Sequence, residues 1–345
     1  MFHIKARAPR RVLALGLPTF WGATAVTYKL TCPLAQQDGL GPRIVTSAVF
    51  FAVGTGLVLH VRRTLLRELR RARQAAGAAQ QVLLRPPAPR IGGLDVAAAQ
   101  LSADRGAQVG GDLYDVARTE HGVRVVMGDA RGHGLAALGT AAAVLGSFRE
   151  AVHDEPALDG VLRRLDRTLA RHLRDGPGGT AAEEFVTVLL LEIRPDGTLH
   201  ALNCGHPWPH LIRGTEVDPV ARDDPLPPLG VLPLPAELPA APCGRLRPGE
   251  LLVLHTDGVE DARDPHGRFF PLREVLADAA QAEPGTARAV LGRAFAMLLH
   301  HARGAPADDV ALLVLGCEHQ PGGAGNRAAG RGAPAAGTRP LVNGA

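Results

Sequence analysis

Six aspartates stand at the edges of apolar runs, and their placement suggests metal chemistry. Asp112 and Asp115 lie in VGGDLYDV, residues 109–116. Asp129 lies in VVMGDARGHG, beside a run of apolar residues. Asp257 follows the apolar run in LLVLHTDGVED, and Asp308 and Asp309 precede one in ADDVALLVL. Hard divalent cations such as Mg²⁺ and Mn²⁺ take oxygen ligands and keep several waters, so a few carboxylates converging from different strands suit them. Glycines beside Asp129 and Asp257 leave room for backbone carbonyls or metal-bound water to come close. Each motif alone has a plainer reading. Asp-Gly after a strand is a turn, Asp-Asp before one is a solvated loop, and GGD with an aromatic two residues on also opens the hairpin of diguanylate cyclases.

The elements that must position these residues form a soluble domain over residues 91–317. Strands are expected at 123–127, 185–193, 199–203, 210–212, 251–256 and 310–315. Helices are expected near 135–153, 157–174 and 286–303. Arg-Pro-Asp-Gly-Thr at 194–198 reads as a hairpin turn. Strands grouped in hairpins with intervening helices point to an α+β layered fold rather than a doubly wound parallel sheet.

A different kind of sequence comes first. Residues 12–28 and 44–61 are two apolar runs, each about long enough to span a bilayer as a helix. Lys5, Arg7, Arg10 and Arg11 precede the first, and Arg62, Arg63, Arg67, Arg70, Arg71 and Arg73 follow the second. The loop between them carries only Lys29 and Arg43, so both termini and the soluble domain are expected in the cytoplasm of a two-pass membrane protein. Residues 62–90 are expected to be a helical juxtamembrane linker ending at Arg-Pro-Pro-Ala-Pro, which cannot continue a helix. Leu65, Leu69, Ala72, Ala76, Ala79 and Leu83 keep heptad spacing. That seam reads either as a homodimeric coiled coil or as a single amphipathic helix lying on lipid or on the domain. Residues 318–345, rich in Gly, Ala and Pro, are expected to be a disordered tail.

Composition narrows the function. The chain has 345 residues, 41 of them Gly and 28 Pro, with a formal charge of +4. The positive excess sits in the membrane module, and aromatics are only 4%, so no stacking platform for a nucleic acid is expected. Cys32, Cys204, Cys243 and Cys317 form no C-x-x-C pair, so neither a zinc ribbon nor a disulfide framework is indicated.

The ordered set GGDLYD, GDARGHG, NCGHPWPHLIR, HTDGVEDAR and ADDVALLVL resembles the metal-dependent PPM-type protein phosphatases, and among them the sporulation stage II protein E group. The resemblance covers residues 91–317. It implies an α-β-β-α sandwich of two antiparallel sheets flanked by helices, and hydrolysis of phosphoserine or phosphothreonine by water activated on two Mn²⁺ or Mg²⁺ ions. It also implies the site. Asp129 would bridge both metals and the Ala130 carbonyl would contact the second. Asp257 and Asp308 would complete the first, and Asp112 would hold the second directly or through water. Asp115, His133 and Asp309 would support these ligands, and Asn203, Gly205 and His206 would form a turn near them. The chain departs from the family at Ala130, where a β-branched residue is frequent, and at His255 and Glu260-Asp261, where Tyr and Thr-Glu are frequent. By the same resemblance the substrate is a phosphorylated protein, of the anti-sigma-factor antagonist type, in bacterial regulatory signalling. The alternatives are a non-catalytic scaffold that binds a phosphoprotein at the membrane, and a small-molecule phosphohydrolase. The cyclase reading fails because it needs a metal-binding Asp on a strand about 40 residues before GGD, where this chain has helix and proline linker.

Overall fold

The computed structural model describes residues 20–28, 40–102, 110–132, 134–175, 184–221, 224–238, 240–281, 285–304 and 306–317, with positions 31 and 283. His133, the first part of the first apolar run and the tail after residue 317 lie outside these.

Two antiparallel sheets face each other. One has six strands in the order β1 (Arg90–Ile91), β2 (Leu94–Leu101), β11 (Val310–Cys317), β10 (Leu251–His255), β7 (His210–Arg213) and β8 (Glu216–Pro219). The other has five, in the order β3 (Asp112–Thr119), β4 (Gly122–Ala130), β5 (Val186–Ile193), β6 (Thr198–Cys204) and β9 (Ala241–Arg245). Strand residues alternate between the two faces of a sheet, and three apolar layers follow from that. Tyr114, Val125, Met127, Leu189, Leu252, Leu254 and Leu313 fill the gap between the sheets. Leu113, Val126 and Leu190 turn the other way, under helices α2 (Leu135–Asp154) and α3 (Leu158–Asp175). Val253, Leu312 and Val314 turn outward from the six-stranded sheet, under α5 (Leu272–Gln281) and α6 (Ala287–His301). The result is the expected α-β-β-α sandwich.

The hairpin at 194–198 forms: Gly197 sits at φ 83, its N–H donates to the Arg194 carbonyl, and β5 and β6 pair on either side. Sequence reasoning passed over β2. Its Ala97, Ala98 and Ala99 favour helix intrinsically, but pairing with β11 over Leu94–Leu101 holds them extended.

Helix α1 (Leu40–Leu83) is continuous across the second apolar run and the basic stretch after it. Ile44, Val45, Val49, Phe51 and Val58 on it are exposed. Leu135–Asp154 is also long and apolar enough to cross a membrane. It is the core helix α2, however, with Val144, Leu145 and Phe148 fully buried.

One buried cation ties the sheet to its helices. Arg124 is fully buried and its Nε donates to Glu192 at 2.8 Å. Its terminal nitrogens donate to the carbonyls of Val152, Glu155 and Pro156, which cover the α2–α3 connection.

Candidate active site

The acidic motifs meet at one end of the gap between the sheets. Asp112 opens β3 and stands in register with Asp129 on β4. Both belong to the alternation that faces the gap, as Tyr114 and Met127 do. Asp129 thus lies within its strand, one residue before the strand ends, and not beyond it. From the opposite sheet, Asp257 opens the one-turn helix α4 (Asp257–Glu260) just past β10, and Asp308 and Asp309 immediately precede β11.

Hydrogen bonds stitch the two sheets together here. Thr256 Oγ1 donates to Asp112 Oδ2 at 3.1 Å and accepts from the Ala311 N–H at 2.9 Å. Asp309 accepts from Ser102 Oγ at 2.7 Å and from the Gly111 N–H at 3.1 Å. On the five-stranded side, Thr187 Oγ1 accepts from the Asp129 N–H at 3.1 Å and lies 3.0 Å from His206 Nδ1. Asn203 and His206 close the turn on each other with two bonds of 2.8 Å. Thr256, Thr187 and Ser102 were not singled out in the sequence. A lone hydroxyl residue carries no signal until the fold brings a carboxylate or strand end to it.

The glycines have a sharper role than leaving room for water. A Cβ on Gly111 would collide with the Ala130 carbonyl oxygen and Asp129 Oδ1, and one on Gly110 with the Asp309 carboxylate. A Cβ on Gly258 would strike the Asp309 carbonyl oxygen. The protein's own oxygens fill the space that these residues leave open.

Like charges crowd the end of the sandwich. Burial raises the Asp112 carboxyl well above its ordinary range, and the charges of Asp129 and Asp309 add to that. Burial, then Asp257, Asp308 and Asp309, push Asp129 up to about 7. Burial and Asp308 raise Asp257. Uncompensated carboxylates in a partly desolvated site are costly. Oxygen donors with surplus negative charge are the donor set that Mg²⁺ or Mn²⁺ takes, so the residues present fit such ions.

One expectation is corrected. Asp115 is an odd number of residues from Asp112, so it turns to the helix-facing side of the sheet. Its Oδ2 accepts from Arg149 Nε of α2 at 2.6 Å, and Arg149 also donates to the Leu83 carbonyl. It supports the packing of α2, not the carboxylate cluster. His133 lies outside the described residues.

Residues 119–318 match the family model of stage II sporulation protein E, SpoIIE. The chain belongs to the SpoIIE family. The match contains Asp129, Asp257 and Asp308, and Asp112 falls just before it. Among solved structures, the SiaA-PP2C domain of Pseudomonas aeruginosa is 18% identical, with a TM-score of 0.54, covering 73% of this chain and 98% of that one. The RsbU and RsbW domains of a Mycobacterium tuberculosis protein are 24% identical, with a TM-score of 0.52, covering 67% of this chain and 62% of that one. The PP2C domain of Bacillus subtilis SpoIIE with a fragment of its regulatory domain is 15% identical, with a TM-score of 0.51, covering 66% of this chain and 64% of that one. The sandwich is therefore the PP2C, or PPM, fold.

Proposed function

We propose that the chain is a membrane-anchored protein phosphatase whose metal ligands are Asp112, Asp129, the Ala130 carbonyl, Asp257 and Asp308. The observation that carries this reading is the meeting of four carboxylates, two from each sheet, at one end of the sandwich, where burial and acidic neighbours raise Asp112, Asp129 and Asp257. Two Mn²⁺ or Mg²⁺ ions bound there would supply an acidified water and positive charge against the phosphoryl oxygens.

The chain's own residues prepare that site. Beyond the effect of burial, Asp129 is raised by Asp257, Asp308 and Asp309 of the opposite sheet and itself raises Asp112 of its own, which suits a ligand common to two ions. Thr256 holds one oxygen of Asp112 and so sets the direction of the other. Asp309 ties the backbone of Gly111 to the start of β11, holding the two sheets in register at the site.

The substrate in this reading is a serine- or threonine-phosphorylated protein of the anti-sigma-factor antagonist type, acting in regulatory signalling. The exposed apolar surface of α1 and the arginines after it support a membrane anchor with the catalytic domain on the cytoplasmic side. Pairing of two chains through the Leu65–Leu83 heptads extends the same reading.

Hydrolysis of p-nitrophenyl phosphate, assayed with and without Mn²⁺, tests the chemistry. Cation-dependent turnover supports it, and turnover that survives chelation overturns it. A phosphoproteome comparison between wild type and Asp129→Asn identifies the substrate. Accumulation of a phosphorylated metabolite with no phosphoprotein change would favour a small-molecule phosphohydrolase.

A further inference from the structure

We propose that His210, His255 and Glu260 form a second metal site, for one transition-metal ion of the Zn²⁺ type. It is distinct from the carboxylate cluster in position and in donor chemistry. His210 opens β7 and pairs in register with Val253 of β10. His255 lies two residues beyond Val253, so both imidazoles stand on the outer face of the six-stranded sheet. Thr256 and the carboxylates it helps to hold are on the other side of the same strand.

The two rings are stacked, with centroids 5.3 Å apart and planes 30° apart. They are 6% and 1% exposed. Each has a buried nitrogen with no hydrogen-bond partner, Nδ1 of His210 and Nε2 of His255. Such orphans are rare in folded cores. The tautomer of His255 sharpens the point. Its Nδ1 lies 3.2 Å from the Thr256 carbonyl, which only accepts, so Nδ1 carries the proton and Nε2 presents a lone pair. The same nitrogen lies 3.8 Å from Glu260 Oε1. Two electron-rich atoms facing each other across that gap call for a cation between them.

Ligand-capable atoms of all three residues lie within 4.8 Å of one another. Closing them to roughly 3.3 Å, as a tetrahedral Zn²⁺ shell requires, asks for a small shift. Glu260 can supply it from the exposed end of α4. Two imidazoles and one carboxylate suit Zn²⁺, whereas Mg²⁺ prefers oxygen alone. An imidazole that donates its other N–H to a backbone carbonyl is oriented as metal-binding histidines are. An ion held here would tether Glu260 to β7 and β10. It would thereby fix the short helix whose first residue is Asp257.

The test uses the full-length chain in detergent, with excess Mg²⁺ to occupy the carboxylate cluster. Zn²⁺ affinity is measured against a chromogenic chelator, and Co²⁺ is added as a spectroscopic probe of an imidazole-containing shell. Wild type and Asp129→Asn should hold one Zn²⁺ per chain. His210→Asn, His255→Gln and Glu260→Gln should each weaken it by more than the roughly 10- to 100-fold that loss of an outer-shell partner costs. Glu260 is exposed, so Glu260→Gln keeps the test valid if a histidine variant misfolds. The proposal fails if wild type holds no Zn²⁺ in excess Mg²⁺. It also fails if Glu260→Gln binds as wild type does, or if Asp129→Asn alone abolishes binding.

Discussion

Arg124 and Asp129 lie on the same strand, and the fold surrounds them in opposite ways. Arg124 is enclosed with Glu192 and three backbone carbonyls, so its charge is compensated and its donors are satisfied. Asp129 faces Asp257, Asp308 and Asp309, each of which raises its pKa further. A charge that holds a fold together is paired where it is buried. Asp129 is left among like charges, a cost that a bound cation would offset.

Substitutions at the two sites should therefore separate activity from stability. Asp129→Asn should lower cation-dependent turnover on the order of 10³-fold, as loss of several kcal/mol of metal-based stabilisation requires. Its metal-free thermal stability should not fall, because one of several repelling charges is removed. Calorimetry beside the phosphatase assay checks both, and a destabilised variant would break the contrast. Arg124→Met should do the reverse, costing about 3–5 kcal/mol by breaking a buried pair. Denaturant unfolding measures this, and a variant as stable as wild type would show that the pair is dispensable.

Proton linkage offers a finer comparison. The folded pKa of Asp129 is raised from 3.8 to about 7, so the metal-free folded state binds more protons than the unfolded chain. Its contribution to stability is present at low pH and is lost as pH rises from about 4 through 7. Burial instead lowers His206 to about 3, and His210 and His255 to about 4. Their contribution is present above the ordinary 6.5 and is lost as pH falls toward 4. The histidine effect is common to samples with and without Mg²⁺, so their difference isolates the carboxylates. The gain in Tm on adding Mg²⁺ should grow between pH 4 and 7 and then level off. A gain independent of pH would exclude Asp129 from the cation's environment. The smallest effect is expected at Asp115→Asn, whose partly exposed pair with Arg149 contributes about 1 kcal/mol or less. Turnover should be unchanged, and a large loss would return Asp115 to the active site.

The strands of both sheet centres, the three long helices of the domain and the hairpin at 194–198 were legible because period and turn chemistry are local. Asp112, Asp129, Asp257, Asp308 and Asp309 were legible as a set through their order and their place beside apolar runs. The alanine-rich β2 was not, because its partner β11 lies more than two hundred residues away.

What the sequence determined by itself was the inventory: carboxylates beside strands, glycines beside carboxylates, and an apolar N-terminal run followed by arginines. Tertiary structure decided which faces those residues share. Alternation along β3 sent Asp112 into the gap between the sheets and Asp115 to Arg149, although both stand in one six-residue motif. Packing of β7 against β10 stacked His210 on His255, residues far apart in the chain, and left one ring nitrogen of each without a hydrogen-bond partner. A side chain's type is written in the sequence, but its neighbours depend on strand register, and register is set by pairings between distant segments.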